Sequence, residues 1–167
     1  MQIYRDITIQ APTDRVWRVL GEAYADIGGW MSAVHRSSPR QTDEPIGGAP
    51  VGGRVCETDL GPVVETITEY DAERHVVAYN ARAESMPSFV IGLANRWSLT
   101  GYDDTTFVEM RLTMNLKFPF GVMSPLMRIK MGPVLTHAVE ELKHYVETGE
   151  PHPRKLEAMG RAQASPA

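Results

Sequence analysis

The sequence predicts an α+β fold in which an antiparallel sheet curls around one long helix. Strand-like segments joined by tight turns follow one another from about Arg54 to Leu116, and a single long helical segment follows from about Met123 to Glu147. Strands grouped in this way, rather than alternating with helices, are typical of antiparallel sheets. The segment TTFVEMRLTMNL supports this prediction, because its apolar side chains alternate with polar ones and share one face: Val108, Met110, Leu112 and Met114. One helix cannot cover every strand closely, so the sheet must curl, and imperfect filling leaves a cavity.

The first forty residues predict one strand followed by short helices. MQIYRDITIQ alternates polar and apolar residues, as a half-buried strand does. In APTDRVWRVL, Thr13 or Asp14 is suited to cap a short helix. The buried side of that helix is then formed by Val16, Trp17 and Leu20. YADIGGWMSAV predicts a second short helix or turn leading into a strand from about Ala33, and the segment Pro39 to Gly53 predicts a long loop.

The central strands include a hairpin that brings two charged residues together. RVCETD, VVETITEY, HVVAYNARA and VIGLANRWSLTG predict strands, separated by the turns LGP, DAER and the break SMPSF. If the first hairpin turns at residues 60–61, Cys56 opposes Glu65 and Arg54 opposes Ile67. Arg54 and Glu65 are then diagonal neighbours on one face, at a distance that long side chains bridge.

The C-terminal segment predicts one long amphipathic helix and a tail. Its apolar stripe has helical spacing and consists of Met131, Leu135, Ala138, Val139, Leu142 and Val146. The charged residues Glu140, Glu141, Lys143, His144 and Glu147 are expected to cover much of the solvent side. Pro133 predicts a kink or restart, and Gly149 predicts the end of the helix. We therefore expect one domain over residues 1–148 and a flexible tail over residues 149–167.

Charge and composition exclude several classes of function. The net charge of -4 argues against a nucleic-acid surface, which requires clustered Lys and Arg. No apolar run approaches the roughly 20 residues that span a bilayer, so no transmembrane segment is expected. Cys56 is the one cysteine, which excludes an internal disulfide and makes the cytoplasm the expected compartment. We expect a monomer or a homodimer.

Metal and nucleophilic catalysis find no support in the sequence. The five histidines are scattered, and no HxxxH, HExxH or Cys/His cluster occurs, so no metal site is expected. Ser-His-Asp catalysis is not supported either, because there is no GxSxG motif and Cys56 has no evident histidine partner.

Several stretches together resemble one known superfamily. APTDRVWRVLGEAYADIGGW, VGGRVCET, GPVVETITEYD, RWSLTG with TTFVEMRLTM, and the closing LKHYVETG resemble the SRPBCC superfamily, the START-like helix-grip proteins. The polyketide cyclase/dehydrase-like branch is the most similar, and the resemblance covers nearly all of residues 1–148. It implies a curved seven-stranded sheet that grips the C-terminal helix, with an apolar ligand tunnel between them. It does not imply one reaction, since this fold hosts both carriers and enzymes.

Arg54 and Glu65 are the candidate catalytic residues. They match an arginine and a glutamate that the superfamily's lachrymatory factor synthase uses. Glu65 also shares a strand face with Val63 and Ile67, so it lies either at a wet sheet edge or inside an apolar cavity. Inside, Glu65 would transfer a proton to or from a bound carbonyl compound, with Arg54 holding the carboxylate or an oxyanion. The alternatives are a structural ion pair near the rim, or a bulge that turns Arg54 outward.

The candidate ligand-binding residues are polar-tipped aromatics and methionines. Tyr79, Asn95 and Trp97 share strand parity with apolar neighbours, so they are either cavity groups or ordinary core residues. A methionine wall suits varied apolar ligands, although it also fills cores; it comprises Met110, Met114 and Met131, with Leu135 behind them and Met123 and Met127 nearby. The stretch KFPFGVMSPLM is either a lid at the tunnel mouth or a buried loop.

The sequence thus favours binding of a small apolar molecule, polyketide-like or lipid-like, in an internal cavity. Carriage and a light acid–base transformation, such as cyclisation, dehydration or isomerisation, remain open. An enzyme of that kind needs no cofactor. The alternative is a non-catalytic carrier or sensor, which binds saturably without turnover.

Overall fold

Seven antiparallel strands form one curved sheet in the computed structural model, which describes residues 1–40 and 44–164. The strands are β1 (Gln2–Ile9), β2 (Arg36–Pro39), β3 (Gly53–Thr58), β4 (Gly61–Asp71), β5 (Val76–Ala83), β6 (Val90–Tyr102) and β7 (Thr105–Leu116). Their order across the sheet is β1-β7-β6-β5-β4-β3-β2, so each consecutive pair from β2 to β7 is a neighbouring hairpin and β1 closes the far edge. The predicted seven-stranded antiparallel sheet is confirmed.

Short helices after β1 cover one end of the sheet, as predicted. Helix α1 (Thr13–Trp17) continues into a π turn, and a 3₁₀ segment, Tyr24–Gly29, follows. The predicted cap is wrong: the chain enters α1 at Pro12, with no side-chain cap. The start of the helix is instead tied to the sheet by the hydroxyl of Thr106 on β7, which donates to the Ala11 carbonyl at 2.7 Å and lies 3.4 Å from the Thr13 hydroxyl.

The long helix α2 (Ser124–Thr148) is held against the concave face of the sheet. It runs without a restart through Pro133 and ends where Gly149 adopts a positive φ of 80°, a conformation that glycine tolerates best. The predicted apolar stripe is buried from Leu135 to Val146, while Met131 is half-buried. On the sheet, the alternation predicted for β7 is confirmed, because its inward side chains are all buried: Val108, Met110, Leu112 and Met114.

The turn of the β3–β4 hairpin differs from the predicted one by one residue. Thr58 pairs with Gly61, so the turn consists of Asp59 and Leu60 rather than residues 60–61. The Thr58 hydroxyl closes this two-residue turn, accepting from the Leu60 amide at 3.2 Å and donating to the Gly61 carbonyl at 2.8 Å. The shift places Arg54 directly opposite Glu65 instead of diagonal to it.

The predicted C-terminal tail is wrong for the residues that the structure describes there. Pro153–Ala164 form a third helix, α3, and Lys155 is buried, donating to the Val34 carbonyl at 2.6 Å. Polar contacts hold this helix against the domain, and such contacts leave no periodic apolar pattern in the sequence. The last three residues, 165–167, lie outside the described residues.

Glu141 of α2 is the partner that docks α3, although the sequence placed it in solvent. It has no exposed surface, and its carboxylate accepts from the Ser32 amide at 2.8 Å, the Ser32 hydroxyl at 2.7 Å and the Arg154 guanidinium at 2.9 Å. The same contacts hold residues 31–34 in a turn, so β2 begins at Arg36 rather than near Ala33.

Replacing Glu141 with alanine should lower the free energy of unfolding by about 3 kcal/mol, since it removes a fully buried carboxylate and the acceptor for both Ser32 donors and for the Arg154 Nε. Glu140→Ala is the matched control, because it removes the half-exposed partner of the same arginine and should change stability by less than about 1 kcal/mol. Urea denaturation measures both values. Equal effects of the two substitutions would mean that the buried cluster does not anchor α3.

Candidate functional site

A cavity of about 450 Å³ lies between the concave face of the sheet and α2. Eight of the nine predicted site residues line it: Glu65, Tyr79, Asn95, Trp97, Met110, Met114, Met131 and Leu135. The ninth, Arg54, lies behind the cavity wall, where it contacts Glu65. The structure thus brings these eight side chains together around one cavity, while their roles towards a ligand stay predictions.

Arg54 and Glu65 form a buried ion pair at one end of this cavity. The Arg54 Nε donates to Glu65 Oε2 at 2.6 Å, because β3 and β4 place the two residues directly opposite each other. The Arg54 side chain is 4 % exposed and that of Glu65 is 12 % exposed. Glu65 is thus inside the molecule rather than at a wet edge, and Arg54 is not turned outward by a bulge.

Tyr24 completes this charged group, and the sequence reasoning missed it. Its hydroxyl donates to Glu65 Oε2 at 3.2 Å, and its backbone carbonyl accepts from an Arg54 Nη. Its ring also stacks under the guanidinium, with the Arg54 Cζ 3.9 Å from the ring centroid. A tyrosine in a short helix is a weak signal, and nothing local indicates that residue 24 meets a strand 41 positions later.

The two oxygens of Glu65 have different surroundings. Oε2 accepts both hydrogen bonds, from Arg54 and Tyr24, whereas no hydrogen bond to Oε1 is found among the residues described. Because Glu65 lines the cavity, its remaining exposure is towards the cavity space. The carboxylate is therefore fixed through one oxygen and offers the other to whatever occupies the cavity.

A second polar group of the cavity lies on β5 and β6. Asn95 Nδ2 donates to the Tyr79 hydroxyl at 3.0 Å. The other end of the Asn95 amide, Oδ1, is buried and has no hydrogen-bond partner within the described part of the chain. A buried polar atom of this kind favours a ligand that supplies a donor.

Burial keeps the hydroxyl and thiol groups around Glu65 protonated. It raises the pKa of Tyr79 to about 12, with the nearby Glu65 carboxylate adding to the shift. Burial likewise raises the pKa of Tyr24, and it raises the pKa of the Cys56 thiol to about 12. Burial alone would lower the pKa of Arg54, but the Glu65 carboxylate and the tyrosines together raise it. Tyr24 and Tyr79 are therefore hydrogen-bond donors at neutral pH, and Cys56 is not a thiolate.

More methionines line the cavity than predicted, and the stretch KFPFGVMSPLM is not a buried loop. Met127 of the predicted cluster lines the cavity and Met123 is not among its lining residues, whereas Met31 and Met86 line it without having been predicted. In the stretch KFPFGVMSPLM, Phe118 and Val122 are exposed, so the buried-loop alternative is wrong. Phe120 stacks on Phe89, with the ring centroids 5.0 Å apart.

No group of three or more His, Cys, Asp or Glu side chains with the geometry of a metal site occurs in residues 1–40 and 44–164. The described helices include none that is long and apolar enough to cross a membrane.

A family model described as polyketide cyclase/dehydrase and lipid transport matches residues 1–147. The chain belongs to this family. Its fold is the START-like helix-grip fold that the sequence resemblance implied. A comparison with curated protein sequences finds no match.

Solved structures of low sequence identity share this family's fold. The di-domain aromatase/cyclase BexL, from the BE-7585A biosynthetic pathway, superposes with a TM-score of 0.72 at 13% identity, covering 88% of this chain and 46% of BexL. XoxI from Bacillus cereus gives 0.69 at 13% identity, covering 90% and 99% of the two chains. A START superfamily protein from Mycobacterium smegmatis gives 0.66 at 14% identity, covering 87% and 97%.

The buried tyrosines predict a stability loss at high pH. Because the folded state raises the pKa of Tyr79 from 10.0 to about 12, the unfolded state ionises first. This contribution to stability is present below about pH 10 and is lost as the pH rises from about 10 to 12. The free energy of unfolding, measured by urea denaturation across this range, should fall less steeply for Tyr79→Phe than for the wild type. Parallel pH curves for the two proteins would contradict the assignment.

Proposed function

We propose that this protein binds an apolar carbonyl compound in the cavity and catalyses proton transfer on it, with Glu65 as the acid–base group. The observation that carries the proposal is the unequal environment of the two carboxylate oxygens. Arg54 and Tyr24 fix Oε2, and Oε1 is left towards a cavity lined almost entirely by apolar side chains. A base that is held in place and shielded from water is suited to remove a proton from carbon.

The chemical step needs only Glu65 and the ligand. Oε1 takes a proton from the carbon next to a ligand carbonyl, and the electron pair moves onto the carbonyl oxygen to give an enolate. If the ligand has a β,γ double bond, the enolate is conjugated, and returning the proton from Glu65 to the γ-carbon isomerises the ligand. Attack of the enolate carbon on a second carbonyl instead cyclises the ligand, and the alkoxide formed on that carbonyl oxygen takes the proton back from Glu65. The Tyr79 hydroxyl and the Asn95 amide are polar groups on the same cavity wall and are placed to orient the carbonyl end.

The family supports this class of ligand. Its description names both polyketide cyclases and lipid transport, and BexL is described as an aromatase/cyclase from a biosynthetic pathway. Polyketides and lipids share an extended apolar body with few polar groups. A mostly apolar cavity of about 450 Å³ lies in the range that small-molecule sites occupy.

A non-catalytic carrier is the second candidate, and one observation favours it. The Arg54–Glu65 pair is complete in itself, since both charges are compensated without any ligand. A pair of this kind can serve the fold alone, while the apolar wall binds a cargo.

The test separates the two functions by following protons rather than products. Native mass spectrometry identifies a ligand that co-purifies with the protein, and incubation of that ligand with the protein in D₂O measures deuterium incorporation at carbon. Wild-type protein should accelerate incorporation, and Glu65→Gln should reduce the rate at least about a hundredfold while retaining binding. Glu69→Gln, which alters a partly exposed carboxylate of the same strand, should leave the rate unchanged.

Binding without deuterium incorporation in the wild type would establish the carrier. If Glu65→Gln lowers only the melting temperature, the ion pair is structural and Glu65 is not the base.

A further inference from the structure

The sheet contains a local gap between two of its central strands. Pairing of β5 with β6 runs from Val76 opposite Ser98 to Asn80 opposite Ala94, and stops there. Both strands nevertheless continue, and each stays paired on its other side: β5 with β4 as far as Ala83, and β6 with β7 back to Val90. Residues 81–83 and 91–93 therefore face each other without forming a ladder. We call this gap the β5–β6 slot.

The slot borders both the cavity and a depression on the outer face of the sheet. A surface depression at this gap shares six lining residues with the cavity: Ala81, Ala83, Met86, Pro87, Val90 and Leu93. The depression is also lined by side chains of opposite parity on the same strands, Asn80 and Arg82, which point to the outer face. A ligand chain that crossed the sheet would pass between the two strands at this place.

The outer rim of the slot is polar and carries one positive charge. Asn80, Arg82 and Asn115 are exposed, and none of them has a side-chain hydrogen bond or ion pair among the residues the structure describes. Gly92 has no side chain, and a Cβ placed there would lie 3.2 Å from the Asn115 amide nitrogen, so that amide lies beside the slot. Amide groups and a free guanidinium suit a carboxylate, which a guanidinium binds through two parallel hydrogen bonds.

We propose that the β5–β6 slot is a head-group site for an amphipathic carboxylic acid. The apolar chain of this ligand lies in the cavity, and its carboxylate lies at the outer face of the sheet, bound by Arg82 with Asn80 and Asn115 beside it. The proposal rests on the cavity-binding part of the proposed function and adds the ligand class. It also requires a ligand with two distinct ends, since the carbonyl chemistry at Glu65 lies inside the cavity and the carboxylate lies outside.

Fluorescence titration with cis-parinaric acid and with its methyl ester tests this site, because the two probes have the same apolar chain and differ at the head group, which is a carboxylate in one and an uncharged ester in the other. The wild type should bind the acid about tenfold more tightly than the ester. Arg82→Gln should abolish this preference and leave ester affinity unchanged. Arg111→Gln removes another exposed arginine, four residues along β7 from Asn115, and should keep the preference.

A second variant tests the slot without removing a charge. Gly92→Trp places an indole over the gap and should weaken binding of the acid. Gly160→Trp, at an open position on α3, should not. Circular dichroism and a melting curve verify that each variant is folded.

The possible results distinguish failure of the head-group site from failure of the proposed cavity binding. Equal affinity of the wild type for acid and ester, or equal losses in Arg82→Gln and Arg111→Gln, would overturn the head-group site while leaving cavity binding intact. Binding of neither probe would overturn cavity binding of such ligands, and the head-group site with it.

Discussion

The buried ion pair between Arg54 and Glu65 constrains the whole end of the molecule in which it lies. Two charges removed from water are tolerated only when each compensates the other and further hydrogen bonds complete them. The Tyr24 hydroxyl and carbonyl supply those bonds, so the 3₁₀ segment Tyr24–Gly29 is tied to the β3–β4 hairpin. Removing one partner would leave an uncompensated charge at a cost of about 3–5 kcal/mol. The register of the hairpin is therefore as much a consequence of this pair as of its turn.

The cavity exists because one long helix cannot cover the inward face of seven strands. Helix α2 packs chiefly along β1, and its Leu135, Leu142 and Val146 fill the space nearest that edge. The short helices after β1 cover only one end of the strands further across the sheet, and no second long helix covers the rest, so many of their inward side chains line the cavity. Methionines occupy much of that boundary, and their flexible, unbranched side chains can fit ligands of different shapes. The apolar cavity thus arises from the architecture, and the ion pair at one end adds a polar feature to it.

Strand periodicity predicted most of this architecture but did not predict the long-range polar contacts. The alternation in β7 and the parity of Glu65, Tyr79 and Asn95 depend only on neighbours two residues apart, and the structure places those side chains as the pattern indicates. The predicted turn was wrong by one residue, which moved the partner of Arg54 from Ile67 to Glu65, because the Thr58 hydroxyl closes a turn made of Asp59 and Leu60.

The burial of Glu141 and Lys155 was not predicted, for a different reason. Buried charged residues are rare, and a charged residue on a helix is therefore assigned to solvent by default. Their partners, Ser32 and Val34, lie more than 100 residues away in the chain, where no periodic pattern points to them. These partners belong to residues 31–34, and Met31, Ala33 and Val34 form part of the cavity wall. The C-terminal helix α3 is thus connected to the ligand cavity through two buried side chains. Any displacement of residues 31–34 would therefore also disturb the hydrogen bonds by which Glu141 and Lys155 hold α3.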